Sequence, residues 1–419
     1  MRILIVTQYY KPDIAPASFR MAALVEELCT RGHEVTVLTA TPNSAGVDRE
    51  FVKDYCVKDV KGIGCEKVLR LPLFPQNSRS VYRLLNYAVF SIELLARAMF
   101  LGEGVDVVLA TTPPLPVAFI GSIIARILGA KIVVDVRDIW PDIMLDMGVI
   151  STHSPVYRVL KLIEVTTMKR ADMIFVASPG YVRHYKYMVG YTPVVLMNGI
   201  DEEFWQAIQK KVLHGVPPMR PPYVITYAGN VGLSQRLSEI VDVFKEFEGK
   251  FIFRIIGNGA DLPRVREVIE REEMQNVEIL KSVLRERLLE YYGDTNAFIV
   301  HLRDIPMFEK TIPTKIFEYA ATGRPILFGL KGVGKSILVD ILGLEWTDLL
   351  YFRPGNKTEL RRALNNLYNV LESGYVLNKD AIFRVKEKYL RKTLMKEALN
   401  QLDSLLVKSN EDINDCSDC

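Results

Sequence analysis

Cysteine is scarce in this chain: five in 419 residues, at Cys29, Cys56, Cys65, Cys416 and Cys419. An odd, scattered set in so long a chain reads as a protein of a reducing compartment. Cys416 and Cys419 have no second pair and no nearby His, so the four ligands that zinc needs are missing. No Asp-x-Asp triplet occurs, which removes one closely spaced carboxylate pair that could hold Mg or Mn. An excess of one charge is lacking too. The 53 Lys and Arg against 50 Asp and Glu leave +3, so bulk charge makes no case for nucleic acid as a partner. No long apolar run is free of charge. The nearest, residues 84–101, contains Glu93 and Arg97, each costing roughly 2.5–3.5 kcal/mol at the centre of a membrane span. The start, MRILIVTQYY, lacks the apolar core and small-residue cleavage site of a signal peptide. These absences lead to the expectation of a cytoplasmic protein with no metal and no cofactor.

What is present is repetition. Short apolar strands alternate with helices: RILIV (2–6), EVTVLTA (34–40), VDVVLAT (105–111), KIVVDVRD (131–138) and DMIFVAS (172–178). Met21, Leu24, Val25 and Leu28 recur at helical spacing in the first intervening segment. This alternation predicts a parallel, doubly wound α/β sheet. KKVLHGVPPMRPP (210–222) interrupts it, because four prolines cannot continue a helix or a central strand. The alternation restarts at YVITYAG (223–229), with a helix expected near 236–248. The reading is therefore two Rossmann-like domains facing a cleft. The amino-terminal domain covers 1–205, a Pro-rich linker 206–222 and the carboxyl-terminal domain 223–380. Helices over 381–407 cross back to the first domain, and an acidic disordered tail takes 408–419. Open parallel sheets bind ligands beyond the carboxyl ends of their strands, so two such edges suit a two-substrate reaction.

One ordered set of segments narrows that reaction. It runs YYKPDIAPASFRMAALVEELCTRGHEVTVLTATPN (9–43), DVRDIWPD (135–142), NGID (198–201), YAGNVGLSQ (227–235), RIIGNGADLPRV (254–265) and LRDIPMFEKTIPTKIFEYAATGRPIL (302–327). Together these resemble glycosyltransferase family 4, the retaining GT-B enzymes, and within it the O-antigen and capsule branch that includes fucosaminyl-type transferases. The resemblance covers about residues 1–400. It implies a nucleotide-sugar donor, with UDP preferred, held by the second domain without metal. It implies a lipid-diphosphate-linked or saccharide acceptor on the first.

A departing diphosphate needs cations and backbone N–H groups, which helix N-termini supply. Arg20, Arg236, Arg303 and Lys315 are the candidate cations. Asn230, Gly257 and Gly334 belong to the donor loops. In the first loop Ala15, Pro16, Ala17 and Ser18 replace the family's Gly pair, and Ala17 and Ser18, unlike Pro16, can still donate a backbone N–H. The resemblance gives Glu318 the donor ribose. It also marks a departure: Lys310 stands where the family's first paired Glu would be. Asp138, with Arg137 before it, could orient or deprotonate the acceptor hydroxyl, or cap the following turn.

GLKGVGKS (329–336) matches the phosphate-loop pattern and follows a strand, with Lys335 at the key position. No later strand ends in a suitable metal-binding Asp, so a nucleotide triphosphatase ranks below the transferase. A non-catalytic scaffold and a GT-B epimerase or phosphorylase stay open. Residues 81–101 read either as a buried helix or as an apolar patch resting on the inner membrane face, flanked by Arg70, Arg79 and Arg83.

Overall fold

A computed structural model describes residues 1–13, 15–42, 60–61, 65–73, 80–101, 104–215, 217–374 and 377–415. Two compact units result. One is Met1–Asn198 with Leu394–Cys419, and the other is Gly199–Thr393.

The first unit holds strands β1 (Arg2–Val6), β2 (Glu34–Ala40), β3 (Val60–Lys61), β4 (Lys67–Leu71), β5 (Val107–Thr112), β6 (Lys131–Val136), β7 (Met173–Val176) and β8 (Val194–Val195). They form one sheet in the order β3-β4-β2-β1-β5-β6-β7-β8, parallel except for β3 against β4. The central strands are apolar almost end to end because helices cover both faces. Helix α1 (Pro16–Thr30) buries Met21, Leu24, Val25 and Leu28 against one face. Full burial of such side chains contributes about 1.5–3 kcal/mol each. Helices α2 (Ser80–Ala98), α3 (Leu115–Leu128), α5 (Pro155–Arg170) and α6 (Pro179–Val189) are the later crossovers, and α4 (Asp142–Asp146) is a short turn after β6.

The second unit holds β9 (Tyr223–Ala228), β10 (Phe251–Ile256), β11 (Val277–Leu280), β12 (Ala297–His301) and β13 (Ile326–Gly329). Their order is β11-β10-β9-β12-β13, all parallel. The winding direction reverses between β9 and β12, which makes the carboxyl ends of those two strands the topological switch point. Helices α7 (Lys315–Ala320), α8 (Gly332–Leu342) and α9 (Lys379–Tyr389) follow.

Several expectations need correction. The helix near 236–248 is two 3-10 segments, Leu237–Glu239 and Val241–Phe247. β-Branched Ile240, Val241 and Val243 crowd an α-helix there, and all three are buried. The division between units falls after Asn198, ahead of the Pro-rich stretch. Residues 202–212 pack into the second unit through buried Phe204, Ile208 and Val212. Of the closing helices, α9 stays with the second unit, where Tyr389 and Lys388 bind Asp340 at 2.9 and 3.1 Å. Only the last helix, α10 (Arg391–Asp415), enters the first unit from Leu394 onward. There Met395, Ala398, Leu399 and Leu402 join the core. Arg31 and His33 bind Asp403 at 2.9 and 3.1 Å, which gives His33 its expected structural role. The acidic tail is helical to Asp415, and 416–419 lie outside the described residues. Cys29 and Cys65 are disulfide-bonded with Cα atoms 5.9 Å apart. That pairing, which joins the end of α1 to the start of β4, removes cysteine usage as an argument for a reducing compartment.

Candidate functional site

The switch point of the second unit is built by close backbone approach. Gly229 follows β9 and Gly257 follows β10, with φ of 126° and 154°. A Cβ on Gly257 would collide with the Gly229 carbonyl, and one on Gly259 with the Val231 carbonyl. Only glycine lets the loops after neighbouring strands lie this close. Asn230 follows on the same shelf, and its side chain reaches Gly232 and Gly259.

Lys315 opens α7 and points at this shelf. Its Nζ donates to the Tyr227 hydroxyl at 2.6 Å and sits 3.7 Å from the centre of that ring. The Tyr227 hydroxyl in turn donates to the Asn230 carbonyl at 2.5 Å. One turn later, on the same helix face, the Tyr319 hydroxyl accepts from the Ala228 amide at 2.8 Å. Two residues of α7 thus pin the end of β9. Burial lowers the Lys315 pKa to about 7, and Glu318 only partly opposes this. An ammonium held in so apolar a place lacks a full counter-charge, which an incoming diphosphate would supply.

The other residues expected to meet a donor are distributed around this centre. Arg303 lies two residues beyond β12, and its amide donates to the Ser234 carbonyl at 2.9 Å. Glu318 is on α7, near Tyr292. Burial raises its carboxyl pKa; Arg285 pulls it down and Asp201 pushes it up. Gly334 is in α8 and lets that helix lie against Thr311 and Pro313, the segment leading into Lys315. Arg236 adopts a left-handed backbone, and its Nε pairs with Glu239 at 3.3 Å. The helix N-terminus expected to receive phosphate after Gly229 is already served by a carboxylate. Asp261 accepts from the Ser238 amide at 3.0 Å and its hydroxyl at 2.8 Å. What the switch point presents is therefore the glycine shelf and Lys315.

Sequence reasoning missed Tyr227, Tyr319 and His301. His301 ends β12, buried. Burial lowers its pKa to about 4, so it is neutral at pH 7. Its Nδ1 donates to the Gln235 carbonyl at 2.6 Å, and Nε2 accepts from the Gly355 amide at 3.0 Å. It ties two loops to the strand end. The available signal was spacing: Tyr319 is four residues after Lys315 and shares its face.

In the first unit, Arg20 is turned inward and fully paired. It is 1% exposed, and its Nε and Nη2 bond both oxygens of buried Asp135 at 3.0 and 2.6 Å. Nη1 donates to Asn198 at 2.9 Å. Its expected contact with phosphate is replaced by a structural pair, because α1 turns it inward toward β6. Ala17 and Ser18 are in the first turn of α1, where Ala15 provides no side-chain cap. The Ser18 hydroxyl is buried without a hydrogen-bond partner. Asp138 follows β6, and burial raises its pKa to about 6 against the pull of Arg137. Arg137 donates to the Pro113 carbonyl. A carboxylate with that pKa can accept a proton near neutral pH.

GLKGVGKS does not form a phosphate loop. Helix α8 begins at Gly332, so Gly334 and Lys335 are helical where an open cradle is needed. Lys335 Nζ lies 3.6 Å from the centre of the Tyr351 ring, and Lys331 binds Asp304 at 2.6 Å. Lys335→Ala is expected to leave nucleotide affinity unchanged in calorimetric titration. ATP binding that disappears with this substitution would make the motif a true site. Among the described residues, no group of three or more His, Cys, Asp or Glu is placed to hold a metal ion.

Residues 17–198 match the family model of the glycosyl transferase 4-like domain. That segment of the chain thus resembles a glycosyl transferase 4-like domain. The chain is 22% identical over 344 residues to a protein named as a colanic acid biosynthesis glycosyl transferase, WcaI of Escherichia coli, covering 77% of this chain and 82% of that one. It is 26% identical over 277 residues to a protein named as a glycosyltransferase, WbjE of Pseudomonas aeruginosa, covering 64% and 68%. The crystal structure of Anabaena HepE in complex with UDP superposes with a TM-score of 0.67 at 13% identity, covering 96% and 100%. WaaG, a glycosyltransferase involved in lipopolysaccharide biosynthesis, does so with 0.60 at 11%, covering 95% and 98%. The chain thus has the GT-B fold: two parallel-sheet Rossmann-like units. No helix among its described residues is long and apolar enough to cross a membrane.

Proposed function

We propose that this glycosyltransferase transfers a sugar, with retention, from a UDP-sugar to a lipid-linked or saccharide acceptor in surface polysaccharide synthesis. The observation that carries the donor half is Lys315, buried against Tyr227 beside the glycine shelf at the switch point. Lys315 and Arg303 would take the diphosphate, with backbone N–H groups near Asn230 and Gly257. Glu318 would take the ribose, as the resemblance implies. UDP and UDP-glucose in the HepE structures support the choice of base. The colanic acid role in the name of WcaI supports the polysaccharide setting.

In the acceptor half, Asp138 would receive or orient the acceptor hydroxyl, with Arg137 holding its loop. Ala17 and Ser18 would donate to acceptor or donor phosphate from the first turn of α1. A cytoplasmic enzyme meeting a lipid-linked acceptor would work at the inner membrane face. Exposed Ile92, Met99 and Phe100, in and just after α2, favour contact through residues 81–101. Side chains at 80–88 lie outside the described residues.

The test is thermal unfolding with UDP, GDP, ADP and ATP, each with Mg and with chelator. A ligand at about a hundred times its dissociation constant adds roughly 2.7 kcal/mol, a shift of several degrees. The expected result is a shift with UDP that chelator leaves unchanged. A response confined to ATP with Mg, or none to any nucleotide, sinks the proposal. Asp138→Asn should keep the UDP shift and lose turnover.

A further inference from the structure

The turn that carries Asp138 is tied down by charge where apolar packing gives out. β6 runs into Arg137 and Asp138, and Ile139 and Pro141 beyond them are buried. Helix α4 then starts at Asp142, and none of its five residues is buried. Pro141 gives it no side-chain cap. So short a helix does not persist on its own hydrogen bonds. The residue at its first position is a carboxylate, and that carboxylate is gripped.

The grip comes from α5. Lys161 Nζ donates to both oxygens of Asp142, at 3.0 and 2.9 Å, and the Tyr157 hydroxyl donates to Oδ1 at 3.0 Å. Tyr157 and Lys161 are one helical turn apart, so one face of α5 presents both. Next along that face is fully buried Glu164, which pairs with Lys161 at 2.7 Å and accepts from the Tyr185 hydroxyl on α6 at 3.1 Å. His184 Nε2 lies 3.6 Å from Glu164 and 3.9 Å from Asp142. Burial works against the Lys161 ammonium, but Glu164 and Asp142 outweigh it and raise its pKa. Burial and Asp142 raise the Tyr157 pKa too, which keeps its proton for the hydrogen bond.

Backbone bonds carry this anchor back to Asp138. The Ile143 amide donates to the Ile139 carbonyl at 2.9 Å, the Met144 amide to Pro141 at 2.9 Å, and the Trp140 amide to Asp138 at 3.1 Å. Each residue between Asp138 and Asp142 is therefore in the same ladder. Burial of Ile139 sets where the chain lies, but apolar burial is non-directional. The two-oxygen grip on Asp142 sets direction. A buried ion cluster adds little net stability over apolar residues of the same volume, so what it contributes here is geometry.

We propose that Asp142, gripped by Lys161 and Tyr157, is a positioning residue that holds the Asp138 carboxyl in place beyond the carboxyl end of β6. Its part in the reaction rests on the reading that Asp138 serves the acceptor. Asp142 acts through the turn and not on the substrate.

The experiment is a carboxyl-carbon NMR titration of the full chain labelled at aspartate, with the Asp138 signal identified by its loss in Asp138→Asn. Asp138 titrates at about 6 because burial desolvates it, against the pull of Arg137. In Asp142→Ala the freed turn admits water, and the midpoint is expected to fall toward the ordinary carboxylate range. Lys161 keeps Glu164 as its partner in that variant, so no buried charge is orphaned. Asp142→Asn keeps an oxygen for Lys161 and Tyr157 and should hold the midpoint closer to 6. Tyr185→Phe removes a bond to Glu164 in the same cluster; it should lower the melting temperature and leave Asp138 unmoved. Should Asp142→Ala not fold, Tyr157→Phe is expected to give a smaller fall of the midpoint. A wild-type midpoint in the variants of the grip, or an equal fall in Tyr185→Phe, overturns the proposal.

UDP release from UDP-glucose, with water as acceptor, links the anchor to turnover. Asp142→Ala should slow it about ten- to a hundredfold at unchanged KM, the cost of displacing a reacting group by about 1 Å. In the Asp138→Asn background the same substitution should cost nothing further. Losses that add in full overturn the proposal. Wild-type release by Asp138→Asn would sink the acceptor reading, while the titration still decides whether Asp142 holds Asp138.

Discussion

Arg20→Met should destabilise the first unit by about 3–5 kcal/mol, the usual cost of removing one partner of a buried ion pair. For a unit of this size that is a fall of roughly 10 °C in melting temperature. Arg20 is held at three nitrogens, two by Asp135 and one by Asn198. Asp135 is on β6 and fully buried, so water cannot replace the lost guanidinium. Met fills much of the volume, which confines the loss to charge and hydrogen bonds. The double variant Arg20→Met with Asp135→Leu removes the orphaned carboxylate and should recover a large part of the loss. The rival role, a phosphate-binding cation, makes the opposite forecast. A variant that melts like wild type but loses nucleotide affinity would restore Arg20 to the ligand.

Lys315→Met should weaken UDP binding by about ten- to a hundredfold, the worth of a charge-assisted hydrogen bond of 1.5–3 kcal/mol. A pH signature distinguishes this from simple loss of packing. Free Lys315 has its pKa lowered to about 7 by burial. A bound diphosphate favours the ammonium and raises that pKa again. Above pH 7 the protein must then take up a proton to bind, so affinity falls by up to about tenfold per pH unit. Below pH 7 the lysine is already charged and its contribution is flat. Lys315→Met should erase the slope. Stability runs the other way. The unfolded chain holds the Lys315 proton up to its ordinary pKa, while the folded chain releases it near 7. This group therefore stabilises the fold progressively as pH rises from 7 toward 10.5. Isothermal titration across pH 6.5–9, with melting curves in the same buffers, reads both. UDP affinity independent of pH in the wild type would remove Lys315 from the phosphate.

The contrast between these residues explains what the sequence could and could not reveal. Met21, Leu24, Val25 and Leu28 were legible as a buried stripe because helical periodicity is local. Gly229 and Gly257 were legible because a strand running into glycine marks a loop with a special backbone. Arg20 was misread because its partners are 115 and 178 residues away. Lys315 was singled out by its neighbours in IPTK, yet its burial against Tyr227, 88 residues earlier, had no local trace. The 236–248 stretch has a helical hydrophobic pattern, but tight packing around Ile240, Val241 and Phe244 takes it to a 3-10 form. Lys335 shows the reverse error, a motif complete in letters whose loop is already wound into a helix.

The last helix carries a consequence for synthesis. Residues Leu394 onward complete the core of a unit whose other part ends at Asn198, with the whole second unit between them. That second unit opens and closes side by side: Ile200 accepts from the Arg391 amide at 2.7 Å and donates to Tyr389 at 2.9 Å. It is a continuous stretch that can fold as soon as it leaves the ribosome. The first unit, though made first, waits for Met395, Leu399 and Leu402. The order of manufacture and the order of completion are therefore opposite, and the β6 edge that leads into Asp138 rests on a core finished only after the whole second unit has been made.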